Sequence, residues 1–263
     1  MPHEGGLWYE WHGPEDGEVL ILSPGLGGSA NYWAPNLPGL TQHYRVLLYD
    51  HRGTGRSDRA LPEDVSIHTM AGDVFALMKA LKIRWPSFIG HALGGLIGLE
   101  LTLYHRVLAN LVIVNGWPSL DPYTARCFDL RLELLRKSGP EAYVRAQPVF
   151  LYPATWISRH LGALDAEAEH QLAHFPPAAT IEKRVAAARA FELWHDITCP
   201  VLVLASADDM LVPAHSSQAL ADRLPVSTLE TMDWGGHACN VTCPSQFNRI
   251  VLDWLEGGKQ GAS

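Results

Sequence analysis

The chain has 263 residues, of which 47% are hydrophobic and 18% charged. That balance excludes an extended disordered chain and suits one large α/β domain carrying an insertion. Lys and Arg number 20 against 28 Asp and Glu, a formal charge of -8; no basic stripe stands out, which argues against a nucleic-acid partner.

The opening residues Met1 to Gly6 have neither the basic nor the apolar part of a signal peptide. No apolar run approaches the ~20 residues that cross a membrane, so a cytoplasmic protein is expected. The first strong strand signal is Val19 to Leu22. Arg45 to Tyr49, Ser87 to Ile89, Leu111 to Val114, Val201 to Leu204 and Ser227 to Glu230 follow. Runs apolar on both faces belong in a mostly parallel sheet covered by helices. Helical periodicity marks Met70 to Lys82 and Leu96 to Tyr104, while Pro213 to Leu224 and Pro244 to Leu255 begin at a proline. The alternation predicts a doubly wound α/β fold. Residues 117–195 break it. Helix-like pieces at Ala125 to Lys137 and Ile181 to Trp194, interrupted by Pro148, Pro153, Pro176 and Pro177, predict an inserted helical cap. The core then comprises 1–116 and 196–263. A cap over the strand ends would stand where such sheets bind ligands. An ordinary helical subdomain would read the same way.

Gly90-His91-Ala92-Leu93-Gly94 joins a predicted strand to a predicted helix. It matches the nucleophile elbow G-x-S-x-G everywhere but the centre, where Ala92 replaces serine. A methyl group cannot attack a carbonyl, so a serine-hydrolase mechanism is excluded. Ser23 to Ser29 follows the first strong strand, and its glycines permit close backbone approach to a ligand. The Leu26 and Leu93 amides are the expected oxyanion or substrate donors. Asp209 follows the strand Val201 to Leu204, and His237 follows the last strand; an acid and a histidine so placed can form a dyad. Asp208 competes with Asp209, one of the two being a turn or cap residue. His91 is either a second catalytic group, or packs beneath the elbow or hydrogen-bonds backbone there. Tyr32, Asn115, Trp117 and Asn240 are candidate pocket residues. His237, Cys239 and Cys243 offer ligand atoms, but without the paired spacing of zinc sites, so no metal and no cofactor is expected.

These landmarks resemble the α/β-hydrolase superfamily, to which the loop Asp50-His51-Arg52-Gly53-Thr54-Gly55-Arg56-Ser57 adds a further match. Within it the chain is similar to the RutD family. The similarity rests on Pro24 to Ser29, Asp50 to Gly55, Gly90 to Gly94, Ala146 to Ala154, Asp208 to Pro213 and Gly235 to Thr242, and alanine at the elbow is part of it. The resemblance implies a hydrolase of uracil and thymine breakdown that converts carbamate to ammonia and carbon dioxide or bicarbonate. An alternative is hydrolysis of aminoacrylate to malonic semialdehyde and ammonia. From another class, a non-catalytic small-molecule binding protein would also keep the fold after losing the serine. An esterase using Ser23 or Ser29 is the weaker rival, since neither stands at the elbow. The expected partner is a small anionic substrate, and isolated apolar residues in the cap would allow a homodimer.

Overall fold

The computed structural model describes residues 3–194 and 197–260. In chain order the strands are β1 (His3–Glu4), β2 (Leu7–His12), β3 (Val19–Ser23), β4 (Arg45–Tyr49), β5 (Ser87–His91), β6 (Asn110–Val114), β7 (Val201–Ser206) and β8 (Ser227–Met232). They form one eight-stranded sheet ordered β1-β2-β4-β3-β5-β6-β7-β8. β3 to β8 run parallel, while β1 and β2 add an antiparallel edge. The sheet is thus the expected α/β one, extended by two strands that sequence periodicity did not single out. β2 reads Leu-Trp-Tyr-Glu-Trp-His and lacks a β-branched residue, which is why it escapes a search for Val- and Ile-rich runs.

Period-two alternation sorts the strand residues onto two faces. Leu20, Leu22, Val46, Leu48, Ile89, Val112, Val114, Leu202 and Leu204 pack with Trp33 and with Phe247, Val251 and Leu255. Ile21, Leu47, Phe88, Leu111, Ile113 and Val203 pack on the other face with Met70, Val74, Leu77, Leu96 and Ile97. Trp33 comes from a short 3-10 helix (Ala30–Asn36), and the other packing residues come from α2 (Ile67–Ala80), α3 (Leu93–Glu100) and α9 (Pro244–Gln260); α1 (Leu37–Leu40), α7 (Ala214–Arg223) and α8 (Cys239–Thr242) are further helices of the core. Ser66 and Thr69 close a capping box that starts α2 three residues before its strongest apolar period. Pro213 caps α7 from outside rather than opening its first turn.

Between β6 and β7 the chain forms α4 (Pro122–Leu151), α5 (Ala154–Ala173) and α6 (Ala178–Ala190). α4 is two arms joined at Gly139, whose φ of 85° most side chains could not adopt. Pro140 follows it at the start of the second arm. Pro148 lies inside that arm, not at an interruption, and α5 fills a stretch where periodicity was silent. The helix expected over Ile181 to Trp194 ends at Ala190. Its last residues instead return as extended chain: Glu192 bridges Ser119, and the Leu193 N–H donates to Pro118 O at 2.8 Å. The two ends of the helical segment are thereby tied beside the sheet. The expected boundary at 195–196 lies outside the described residues. No described helix is long and apolar enough to cross a membrane.

Candidate active site

β5 ends against α3 in a turn with no room for side chains at its base. A Cβ on Gly90 would be driven into the Gly94 carbonyl, and one on Gly94 into the Ser23 carbonyl. Between them Ala92 adopts φ 48° and ψ -112°, a conformation costing about 1–3 kcal/mol for a non-glycine residue. The turn is held by the Ala92 N–H to Val114 O at 2.8 Å and by the Gly95 N–H to Ala92 O at 2.9 Å. Leu93 opens α3, where helix geometry leaves its N–H without an intrahelical acceptor. The structure therefore builds the full elbow around a methyl group.

The loop after β3, which carries Leu26, is pinned at three carbonyls. The His51 Nε2–H donates to Pro24 O at 2.9 Å, Arg184 Nη1 to Leu26 O at 3.2 Å, and the His51 backbone N–H to Gly28 O at 2.8 Å. Burial pushes the His51 imidazole down to about 3, with the Arg184 charge adding to the effect. It is a neutral brace. Neither His51 nor Arg184 was singled out from the sequence: one sits inside a glycine-rich loop, and the other looks like a solvated helix position. The rival nucleophiles are used elsewhere. Ser23 Oγ is buried and shares a 2.6 Å hydrogen bond with the Tyr49 hydroxyl, while Ser29 Oγ accepts from the Asn31 N–H.

β7 and β8 deliver the remaining pair. His237 Nδ1 lies 2.7 Å from Asp209 Oδ2, and both side chains are buried. The Asp209 Oδ1 accepts from the Leu211 and Val212 N–H groups at 2.7 and 2.9 Å, so the carboxylate is oriented before the imidazole meets it. With Nδ1–H donating to Asp209, Nε2 is the nitrogen left to face a substrate. Asp208 is the turn residue of the two: its Oδ1 accepts from Ser206 Oγ and from the Gly236 N–H, each at 2.8 Å.

The His237 carbonyl accepts two hydrogen bonds, from His91 Nε2–H and from Asn115 Nδ2, both at 2.8 Å. The His91 ring packs edge-on against His237, with centroids 4.5 Å apart. Because Nε2 carries the proton, Nδ1 is a bare, buried lone pair with no hydrogen-bond partner. Burial, together with the adjacent His237, holds His91 well below the usual histidine range. His91 thus stands against the dyad rather than beneath the elbow alone.

Two expected pocket residues are engaged within the fold. Asn115 is buried with both ends of its amide engaged, Oδ1 accepting from the Ser206 N–H at 2.9 Å while Nδ2 holds the His237 carbonyl. Asn240 is likewise buried, accepting from the Tyr32 hydroxyl at 2.7 Å and donating to Asn36 Oδ1 at 3.1 Å. Both amides thus have their oxygen and nitrogen engaged with the protein and brace the site. Tyr32 lies over His91 at 4.8 Å between centroids, and Trp117 is buried with its indole N–H unpartnered. Cys239 is buried, and burial keeps its thiol protonated by raising its pKa. Among the described residues no three His, Cys, Asp or Glu side chains are grouped as metal ligands, so His237, Cys239 and Cys243 do not form the alternative set.

An elbow after the third parallel-sheet strand, a glycine loop beside it and an acid–histidine pair from later strands define an α/β hydrolase. A family model described as the alpha/beta hydrolase fold matches residues 18–136. Among solved structures, a hydrolase from Pseudomonas aeruginosa PA01 has a TM-score of 0.83 at 28% identity, covering 95% of this chain and 94% of its own. The enol-lactonase of Burkholderia xenovorans LB400 has a TM-score of 0.84 at 25% identity, covering 95% and 96%. Among curated proteins, RutD of Caulobacter vibrioides, which carries a provisional name as a carbamate hydrolase, is 52% identical over 258 residues, 96% of each chain. RutD of Serratia proteamaculans, named in the same way, is 48% identical over 241 residues, 90% of each. The chain belongs to the RutD family of α/β hydrolases.

Proposed function

We propose that the protein hydrolyses carbamate to ammonia and carbon dioxide in pyrimidine breakdown, by acid–base catalysis from His237 and Asp209 without a covalent intermediate. The observation that carries this reading is the 2.7 Å His237–Asp209 pair beside an elbow whose central residue is Ala92. The acid–base half of a hydrolase is kept while the nucleophile is absent. A binding module has no use for an oriented, buried carboxylate–imidazole pair. The names of the RutD relatives support carbamate as the substrate.

Carbamate nitrogen must be protonated before it leaves. In the proposed step His237 Nε2–H gives its proton to that nitrogen. The C–N bond then breaks with its electron pair on nitrogen, releasing ammonia and carbon dioxide, and solvent returns the proton to the imidazole. Asp209 stabilises the charged ring, and the Leu26 and Leu93 amides would face the carboxylate oxygens. General acid–base help is worth ~10²–10⁴-fold, enough for a reaction that also runs unaided. Aminoacrylate presents the same two groups, a carboxylate and a departing nitrogen, and is the second substrate to assay.

The test is time-resolved ammonia release from freshly generated carbamate, and in parallel from aminoacrylate, with wild type and His237→Ala. Acceleration by wild type alone is expected. Equal rates for the two proteins would remove the dyad mechanism, and a wild-type rate equal to the enzyme-free background would favour a binding protein.

A further inference from the structure

The loop after β7 carries Asp209, and the first turn of α4 stands on it. That turn starts at Asp121, whose carboxylate accepts from the Tyr123 N–H at 2.7 Å and pairs with His215 Nε2 of α7 at 2.8 Å. The next two side chains reach the loop itself. Tyr123 Oη donates to Met210 O and Thr124 Oγ1 to Leu211 O, each at 2.9 Å. Thr124 is buried, while the Tyr123 ring is partly exposed.

Those two carbonyls are the far ends of the peptide units that orient the dyad. The Met210 carbonyl and the Leu211 N–H belong to one peptide, and the Leu211 carbonyl and the Val212 N–H to the next. Both are trans, and a planar trans peptide points its C=O and its N–H in opposite directions. Each N–H donates to Asp209 Oδ1, at 2.7 and 2.9 Å. Each carbonyl accepts from a hydroxyl of α4. A hydroxyl that fixes the carbonyl end therefore fixes the direction of the N–H end, and it polarises the peptide so that the N–H becomes a better donor. With Oδ1 held in this way, Oδ2 meets His237 Nδ1 at 2.7 Å. The far end of the same helix reaches the other partner: Leu151 O accepts from the N–H of Ala238, next to His237, at 3.0 Å.

We propose that Tyr123 and Thr124 are positioning residues for the Asp209–His237 pair, acting through the two peptides and not on the substrate. Thr124 has the larger share, because water can replace a hydroxyl at a partly exposed position but not one that is buried. The effect on turnover rests on the hydrolase reading above; the effect on the Asp209–His237 hydrogen bond does not.

Tyr123→Phe and Thr124→Val each remove one hydroxyl, and Thr124→Ser keeps it. The His237 Nδ1–H proton, assigned by its loss in His237→Ala, is followed by proton NMR, since its downfield shift reports how closely it is held to Asp209. The resonance should move upfield in Thr124→Val, less in Tyr123→Phe and furthest in the double variant, and return to the wild-type position in Thr124→Ser. In ammonia release from carbamate, kcat should fall about tenfold in Thr124→Val with KM within about twofold of wild type, because the lost contact aligns the dyad and touches no substrate. A lower Tm with resonance and kcat unmoved would overturn the proposal, since the hydroxyls would then serve only to seat the helix. A resonance that Thr124→Ser fails to restore would overturn it too. Should Thr124→Val not fold, an unmoved resonance in Tyr123→Phe overturns it. A shifted resonance in a protein whose wild type releases no ammonia above background would support the positioning and overturn the hydrolase reading.

Discussion

Acid should loosen both halves of the site through histidines outside the His237–Asp209 pair. His51 holds the Pro24 carbonyl under the Leu26 loop, and its pKa falls from 6.5 to about 3 on folding, chiefly through burial. Below pH 6.5 the unfolded chain takes up a proton at this ring and the folded protein does not. Stability is therefore fully present above that pH and is lost as pH falls toward 3. At about 1.4 kcal/mol per pH unit, acidification to pH 5 costs about 2 kcal/mol through His51 alone. His91, also lowered by burial and held to the His237 carbonyl, adds a loss of the same sign. Urea unfolding of wild type and His51→Gln between pH 7.5 and 5 measures the effect. The glutamine amide can still donate to Pro24 O but cannot be protonated, so its acid loss should be smaller than that of wild type by about 2 kcal/mol. Identical acid slopes in the two proteins would refute the reasoning.

Asp209→Asn keeps an oxygen for the Leu211 and Val212 N–H groups but removes the charge beside His237; catalysed ammonia release should fall on the order of 10²–10⁴-fold with little change in Tm. Full activity in that variant would show that Asp209 serves only its loop. Ala92→Ser places a hydroxyl at an elbow already bent to present one, so a fluorophosphonate probe should label the variant and leave wild type unlabelled; labelling that persists after His237→Ala is added would mean the imidazole does not reach the elbow. Asn115→Ala strips an acceptor from the buried Ser206 N–H and a donor from the His237 carbonyl, which should cost about 2 kcal/mol in urea unfolding and lower the rate as well. A stability change below about 0.5 kcal/mol would contradict the brace assigned to it.

The parallel strands were legible because burial on both faces leaves continuous apolar runs such as Asn-Leu-Val-Ile-Val and Val-Leu-Val-Leu-Ala-Ser. An acid and a histidine at strand ends were legible because α/β topology puts chemistry on those loops, but position left Asp208 and Asp209 in competition until the fold set Asp209 against His237. What stayed hidden is what long-range packing decides. Nothing near Arg184 in sequence says that it will be buried against Leu26, 158 residues away. Asn115 and Asn240 looked like pocket residues because polar groups beside an elbow usually are; only the fold shows their amides spent on Ser206, Tyr32 and Asn36. α5 hid because it buries little: Ala168 is its one buried residue, so no apolar stripe marks it.

Ala92 poses the sharper question, since a left-handed elbow costs about 1–3 kcal/mol and a methyl group gains nothing from being presented. The strain is still imposed from both sides. Gly90 pairs with Ser23 on one side and Ile113 on the other, so β5 cannot slide, and α3 must start at Leu93 to lay Leu96, Ile97 and Leu99 on the sheet. One residue has to reverse direction between them. The same reversal aims the first N–H groups of α3 at the space the side chain of residue 92 would share, with the positive end of the helix dipole behind them. In the proposed mechanism the task left to the elbow is to hold an anion, which is the part a proton-transfer step on a carboxylate substrate still requires.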